Sequence, residues 1–217
     1  MSRESRENKK DAVAALHRER IMMAAEKLFS EKGFVQTTID DISKASEYSR
    51  RTIYAYFENK EDILHHIIEK GLQTLKADIE NAVSRDDDFV GKYKAICAAM
   101  TAYQRNYPHS ADSVNSADSE SIELSETSET VRSILLLGNE INTILAAFIE
   151  NGKESKSVRK EVVPKLTVYV LWSGITALLK LADTKGKFIC GQLSVTEDEF
   201  LEYGFKQIIN SILIERI

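Results

Sequence analysis

The residues of this chain best suited to chemistry stand between Thr37 and Leu64, in the run TTIDDISKASEYSRRTIYAYFENKEDIL. On a helix that advances about 100° per residue, the segment after Ser49 turns Ile53, Tyr56 and Phe57 to one side. The opposite side carries Arg51 and Ala55, flanked by Arg50, Thr52 and Tyr54. That face is short, basic and aromatic. Arginine can pair bidentately with a guanine edge, alanine or threonine can meet a thymine methyl, and tyrosine and threonine hydroxyls bond phosphates. The set Thr38, Tyr48, Arg50, Arg51, Thr52, Tyr54 and Lys60 therefore suits a DNA groove. Arg51 is placed to read a base, with Arg50, Tyr54 and Tyr48 beside it, while Thr38, Thr52 and Lys60 hold the backbone. Two adjacent arginines alone would mean only a solvated helix start, so their meaning depends on the elements around them.

Those elements are legible from caps and spacing. Thr37 and Thr38 precede Ile39, Ile42 and Ala45, with Asp40 or Asp41 as partner in a capping box. Ser49 can cap the next helix, and only three or four residues separate the two. Two short helices joined by a tight turn are the layout of a helix-turn-helix. Asn59 then caps a further helix with Asp62 as its partner, which puts Lys60 in the first turn. A cation there opposes the helix dipole, and a nearby phosphate would reverse that sign.

Residues 18–64 resemble the DNA-binding domain of the TetR/AcrR family of bacterial transcriptional regulators. The resemblance rests on Arg20, Ile21, Ala24, Ala25, Leu28, Phe29, Gly33, Thr37, Thr38 and Ile42, followed by the run SRRTIYAYFENKEDIL, with no insertion. It covers roughly a fifth of the chain. Where the family's turn reads Ala-Gly-Val, this chain has Ser46, Glu47 and Tyr48, so a non-glycine residue has to accept left-handed backbone. The larger Tyr48 is free to turn toward the DNA backbone or the core. The resemblance implies an all-α protein of about nine helices, with a flexible arm at 1–11, a helix-turn-helix domain at 12–60 and a regulatory and dimerisation domain at 61–217. It also implies a repressor released by a small hydrophobic effector, binding a palindromic double-stranded operator as a homodimer. The helix that starts at Lys60 would act as the lever between ligand and DNA.

Composition fits this frame. The 217 residues are 43% hydrophobic and 29% charged, with two prolines and nine glycines, which permits long helices and a substantial core. Net charge is −5, unevenly spread: residues 1–60 carry 12 basic against 10 acidic residues, and the remainder 17 against 24. A small basic head on an acidic body would give that asymmetry. Cys97 and Cys190 form no Cys-x-x-Cys pair and no His spacing beside them suggests a metal, so buried thiols in a reducing cytoplasm are expected. No apolar leader opens the sequence, and the run Leu166–Leu179 is short for a bilayer. Phosphate loops, nucleophile elbows and His-Glu-x-x-His are lacking, so no enzyme, cofactor or metal centre is expected. The competing reading is a helical interaction module whose head takes a protein partner, a role that Glu47 and the weak positive balance would suit.

Along the rest of the chain, Arg3, Arg6, Lys9 and Lys10 would form a basic arm, and the first helix would run from Ala12 to a C-cap at Gly33. The fourth helix spans Lys60 to about Arg85, and a fifth carries Phe89, Tyr93, Ile96, Cys97, Met100 and Tyr103. Residues 108–130, with seven serines, six acidic residues and no Lys or Arg, have the composition of a poorly ordered stretch. Further helices are expected from Val131 to Asn151, from Val158 to Ala182, and after a Thr196/Glu199 capping box. The last stripe is wider than one core contact needs, and the resemblance makes the final two helices a dimerisation pair through Trp172, Ile175, Phe200, Phe205, Ile208 and Ile212. Tyr103, Tyr107, Phe148, Tyr169 and Trp172 are the aromatic candidates to line an effector cavity.

Overall fold

The computed structural model describes residues 3–108 and 128–217. Residues 109–127, most of the stretch expected to be poorly ordered, lie outside the described residues. Eight α-helices and no strand occur among those described: α1 (Arg3–Lys32), α2 (Ile39–Ser46), α3 (Arg50–Tyr54), α4 (Lys60–Ser84), α5 (Phe89–Asn106), α6 (Glu129–Glu154), α7 (Pro164–Leu193) and α8 (Glu197–Asn210). The chain forms two compact units, one of residues 1–71 and 107–134, the other of residues 72–106 and 135–217. The division falls inside α4, eleven residues beyond the boundary drawn from the sequence, because the apolar stripe of α4 serves the first core through Ile63 and Ile67.

In the first unit, Ile21, Ala25 and Phe29 of α1 close over Ile42 of α2, Ile53 of α3, Phe57, and Ile63 and Ile67 of α4. All are almost wholly removed from solvent. Spacings of three and four put these residues on single helix faces. α3 has five residues, far fewer than a helix needs to stand alone, so its position comes from Ile53 and Phe57 in the core. Residues 3–11, expected as a free arm, continue α1 instead. The segment RESRENKKD contains helix formers and neither glycine nor proline.

In the second unit, Phe89 of α5 stacks on Phe148 of α6 with ring centroids 4.4 Å apart. Gly152, one turn beyond Phe148, leaves room for the Phe89 ring and Val158. Pro164 opens α7 at a position where its missing N–H costs nothing. The last residues fold back onto the α6–α7 connection, where the Arg159 N–H donates to the Ile212 carbonyl and the Ile214 N–H to the Ser157 carbonyl. α7 and α8 lie together, with Gly204 beneath Leu178.

Two expectations for this unit are corrected. α7 does not end near Ala182. It runs through Gly186, which is buried, to Leu193, because the residues after Ala182 include no proline and keep helical phase. Ile175 and Ile212 cannot form an outer face, being 3% and 5% exposed within the single subunit. Trp172 lines a cavity inside the unit, and Phe200, Phe205 and Ile208 are half-buried. The apolar surface left uncovered lies elsewhere on α7, at Leu166, Tyr169, Val170, Leu181 and Phe188, and at Tyr203 of α8. Spacings of three, four, seven and eleven make Leu166, Tyr169, Val170, Leu181 and Phe188 one stripe. By length and composition α6 and α7 are each long and apolar enough to cross a membrane, contrary to what the run Leu166–Leu179 suggested.

Candidate nucleic-acid interface

The first unit holds its two short helices by side-chain bonds that use up several of the groups expected to be free. At the start of α2 the capping box is complete: the Asp41 N–H donates to Thr38 Oγ1 (3.2 Å), and the Thr38 N–H donates to the Asp41 carboxylate (2.9 Å). Lys32 reaches the same carboxylate at 2.6 Å. Its hydrogen bond, then those from Thr38, hold Asp41 well below the usual carboxylate range. α3 starts at Ser49, whose Oγ accepts from the Thr52 N–H at 3.1 Å and shares a hydrogen bond with the Thr52 hydroxyl at 2.9 Å.

Between them lies the altered turn. Glu47 takes the left-handed backbone, with φ +61°, the conformation that glycine adopts at least cost. The Ser43 hydroxyl donates to the Tyr48 carbonyl at 2.6 Å and pins the turn to α2. Tyr48 turns inward: it packs on the head core, and its ring lies 4.9 Å from that of His17 on α1. His17 Nδ1 also shares a 2.9 Å hydrogen bond with the Tyr56 hydroxyl, and the Arg18 guanidinium covers the Tyr56 ring at 5.7 Å. One side of α1 thus clamps both the turn before α3 and the chain after it. Sequence reading missed His17, which stands on a polar stretch of α1 with no local signal.

The outward face of α3 splits into two kinds of group. Arg50 forms an ion pair with Asp40 of α2, so its guanidinium is occupied. Arg51 is exposed, Tyr54 is 56% exposed, and neither has a hydrogen-bond or ionic partner among the described residues. Lys60 is held beneath the loop between α1 and α2. Its ammonium donates to the Phe34 carbonyl at 2.8 Å and the Thr37 carbonyl at 2.9 Å and sits 4.3 Å over the Phe34 ring. Asn59 caps α4 by accepting from the Asp62 N–H at 2.7 Å.

No group of three or more potential metal ligands occurs among the described residues. Of the five aromatic residues expected to line an effector cavity, Phe148 and Trp172 border one hollow in the second unit. Tyr103 is buried, Tyr107 packs on the core of the first unit, and Tyr169 is 60% exposed on the outside of α7. Among the described residues, the five thus do not come together around one hollow.

Two short helices joined by a braced turn, a third helix laid across them and a bare arginine and tyrosine on the second make this unit a helix-turn-helix head. Residues 21–67, the helix-turn-helix head, match the sequence profile of the bacterial regulatory proteins of the tetR family. Along 86 residues it is 35% identical to the HTH-type transcriptional regulator HbdR of Aromatoleum sp. (strain CIB), a match spanning 40% of this chain and 36% of HbdR. A longer likeness, 26% identical over 166 residues and covering 73% of this chain and 80% of the relative, joins it to YhgD of Bacillus subtilis, an uncharacterised HTH-type transcriptional regulator. The fold extends to the whole chain: the TetR-family regulator PfmR of Thermus thermophilus superposes with a TM-score of 0.67 at 24% identity, over 91% of this chain and all of that one.

Proposed function

We propose that this chain is a sequence-specific DNA-binding transcriptional regulator, acting in the cytoplasm as a homodimeric repressor that a small effector releases from a palindromic operator. The observation that carries this reading is the outward face of α3, where Arg51 and Tyr54 stand unpaired on a helix whose neighbours are otherwise engaged. A bare guanidinium there can form a bidentate pair with a guanine edge, and the tyrosine hydroxyl can bond a phosphate. Arg50 and Lys60 support the head in the free protein, and the partner each adopts on DNA follows from exchange. The apolar stripe of α7, with Tyr203 of α8, supports dimerisation. It is one-sided, since Val168, Leu171, Ile175, Leu179 and Ala182 are buried on the opposite side of the same helix, which favours a second copy over lipid as its cover.

The test is fluorescence anisotropy with duplexes tiled across the DNA flanking the gene, against scrambled duplexes of equal length. One duplex should bind preferentially, and Arg51→Ala should weaken it by about 1–3 kcal/mol while relaxing sequence preference. Equal affinity for every duplex, or for wild type and Arg51→Ala, removes the reading. Val170→Asp, at a position 67% exposed, should yield folded monomer in sedimentation. A dimer unchanged by that charge would place the interface elsewhere.

A further inference from the structure

Two hollows among the described residues of the second unit differ in volume by more than tenfold. The cavity bounded by Tyr93, Phe148 and Trp172 encloses about 30 Å³, enough for a water molecule or two. Between α5 and α8 lies a groove of about 840 Å³, within the size range of small-molecule sites. Its existence follows from the sequence of α5. Ala98 and Ala102, one turn apart, are exposed along the wall that faces α8, and two methyl groups leave open what larger side chains would fill. Cys97, Leu201 and Ile209 make a buried apolar floor. Burial pushes the Cys97 thiol up to about 12, so that wall is uncharged at neutral pH.

The charges around the groove give it a direction. Lys94 pairs with Glu202 at 3.5 Å and Arg105 with Glu197 at 3.4 Å, while Asp88 accepts from the Gly91 N–H at 2.7 Å. Two charged side chains of the lining have no partner among the described residues: Lys206 and Asp198. They are separated by eight residues of α8, about 12 Å along its axis. Asp198 is in the first turn of α8, where a carboxylate complements the helix dipole. The groove therefore has an apolar middle, an unpaired cation toward one end and an unpaired anion toward the other.

We propose that this groove, and not the cavity beside Trp172, is the effector site, and that it takes an amphipathic monocarboxylate whose apolar body lies along Ala98 and Ala102 with its carboxylate at Lys206. The word effector rests on the regulator reading; the binding site itself does not. Tyr93 connects the groove to its wall, since its hydroxyl donates to the Phe205 carbonyl of α8 at 3.0 Å.

Calorimetric titration of the full chain with decanoate, decylamine and decan-1-ol tests this, with the emission of Trp172, the only tryptophan, followed in parallel. Decanoate should bind and decylamine should bind far more weakly. Ala98→Trp and Lys206→Glu should each weaken decanoate by about tenfold or more, with Trp172 emission unmoved by ligand in the wild type. Ala102→Trp serves as the second groove-filling variant, and circular dichroism identifies any variant that has not folded. Absence of decanoate binding, equal affinity for decylamine, or full affinity in a folded groove variant overturns the site, as does a ligand-induced shift of Trp172 emission. Operator binding without ligand is measured separately. A chain that binds decanoate but prefers no duplex overturns the regulator reading alone, and one that prefers a duplex but ignores decanoate overturns the site alone.

Discussion

Replacing Lys60 and replacing Arg51 should have opposite consequences, although both are basic residues of the same head. The Lys60 ammonium makes two hydrogen bonds to loop carbonyls, 2.8 and 2.9 Å long, and sits 4.3 Å over Phe34. Lys60→Met keeps the stem and removes the charge. Each hydrogen bond from a charged donor contributes about 1 kcal/mol after discounting for partial exposure, and the contact with the ring about 0.5 kcal/mol. The substitution should therefore cost about 2–3 kcal/mol of head stability, because it frees the α1–α2 loop from the start of α4. Arg51→Ala removes no contact within the protein, and its stability should stay within about 0.5 kcal/mol of wild type. Urea unfolding followed by circular dichroism gives both quantities, and duplex anisotropy under folding conditions gives the loss of binding expected of Arg51→Ala. A Lys60→Met protein that unfolds at the wild-type midpoint would refute the brace. A large loss of stability in Arg51→Ala would show that its side chain is engaged within the head.

Three other outcomes follow from the geometry. Gly152→Ala would press a methyl group into the Phe89 ring, with Val158 Cγ2 2.7 Å away, and should destabilise by about 1–3 kcal/mol or more, measured as a fall in Tm. Tyr56→Phe should cost about 1 kcal/mol by removing its bond to His17, and the double variant with His17→Ala should lose less than the sum of the two single losses, as a double-mutant cycle would register. Burial lowers the His65 pKa from its ordinary value, so the folded state binds fewer protons there than the unfolded chain. That contribution to stability is complete above the unfolded pKa of about 6.5 and is lost as pH falls below it. His65→Gln should flatten the pH dependence of Tm between neutrality and pH 5, and an unaltered slope would assign the effect to other groups.

The elements that could be read from the sequence were those fixed by local chemistry. The Thr38/Asp41 and Thr196/Glu199 boxes, the Ser49 and Asn59 caps and the left-handed Gly33 are all present, because each is decided within a few residues. Choices decided across distance were not legible. Nothing near His17 announces that its partners are Tyr48 and Tyr56, 31 and 39 residues away. The helix expected to end at Ala182 continues to Leu193, with Gly186 buried within it. The wide stripe of the last helices indicated an outer face without saying which residues belong to it, since periodicity cannot separate a side facing the subunit's own core from one facing a partner. The effector candidates were hard to sort for a similar reason: aromatic side chains serve equally well as core, and here Phe148 and Trp172 border a hollow while Tyr103 is buried, Tyr107 packs on the head core and Tyr169 faces outward.

The ion pair between Asp40 and Arg50 has a consequence for selectivity. A carboxylate that holds a guanidinium on the reading helix occupies it as a phosphate would, so any duplex must first compete with Asp40 for Arg50. If Arg51 reads the bases, as proposed, that competition would reduce affinity for all sequences alike and leave Arg51, which no carboxylate holds, to distinguish among them. Because a genome presents a vast excess of wrong sites, a uniform reduction in backbone affinity shortens the time spent on them. Asp40 would then act as an internal decoy, and Asp40→Asn would give a head that grips DNA more tightly and finds its target less well.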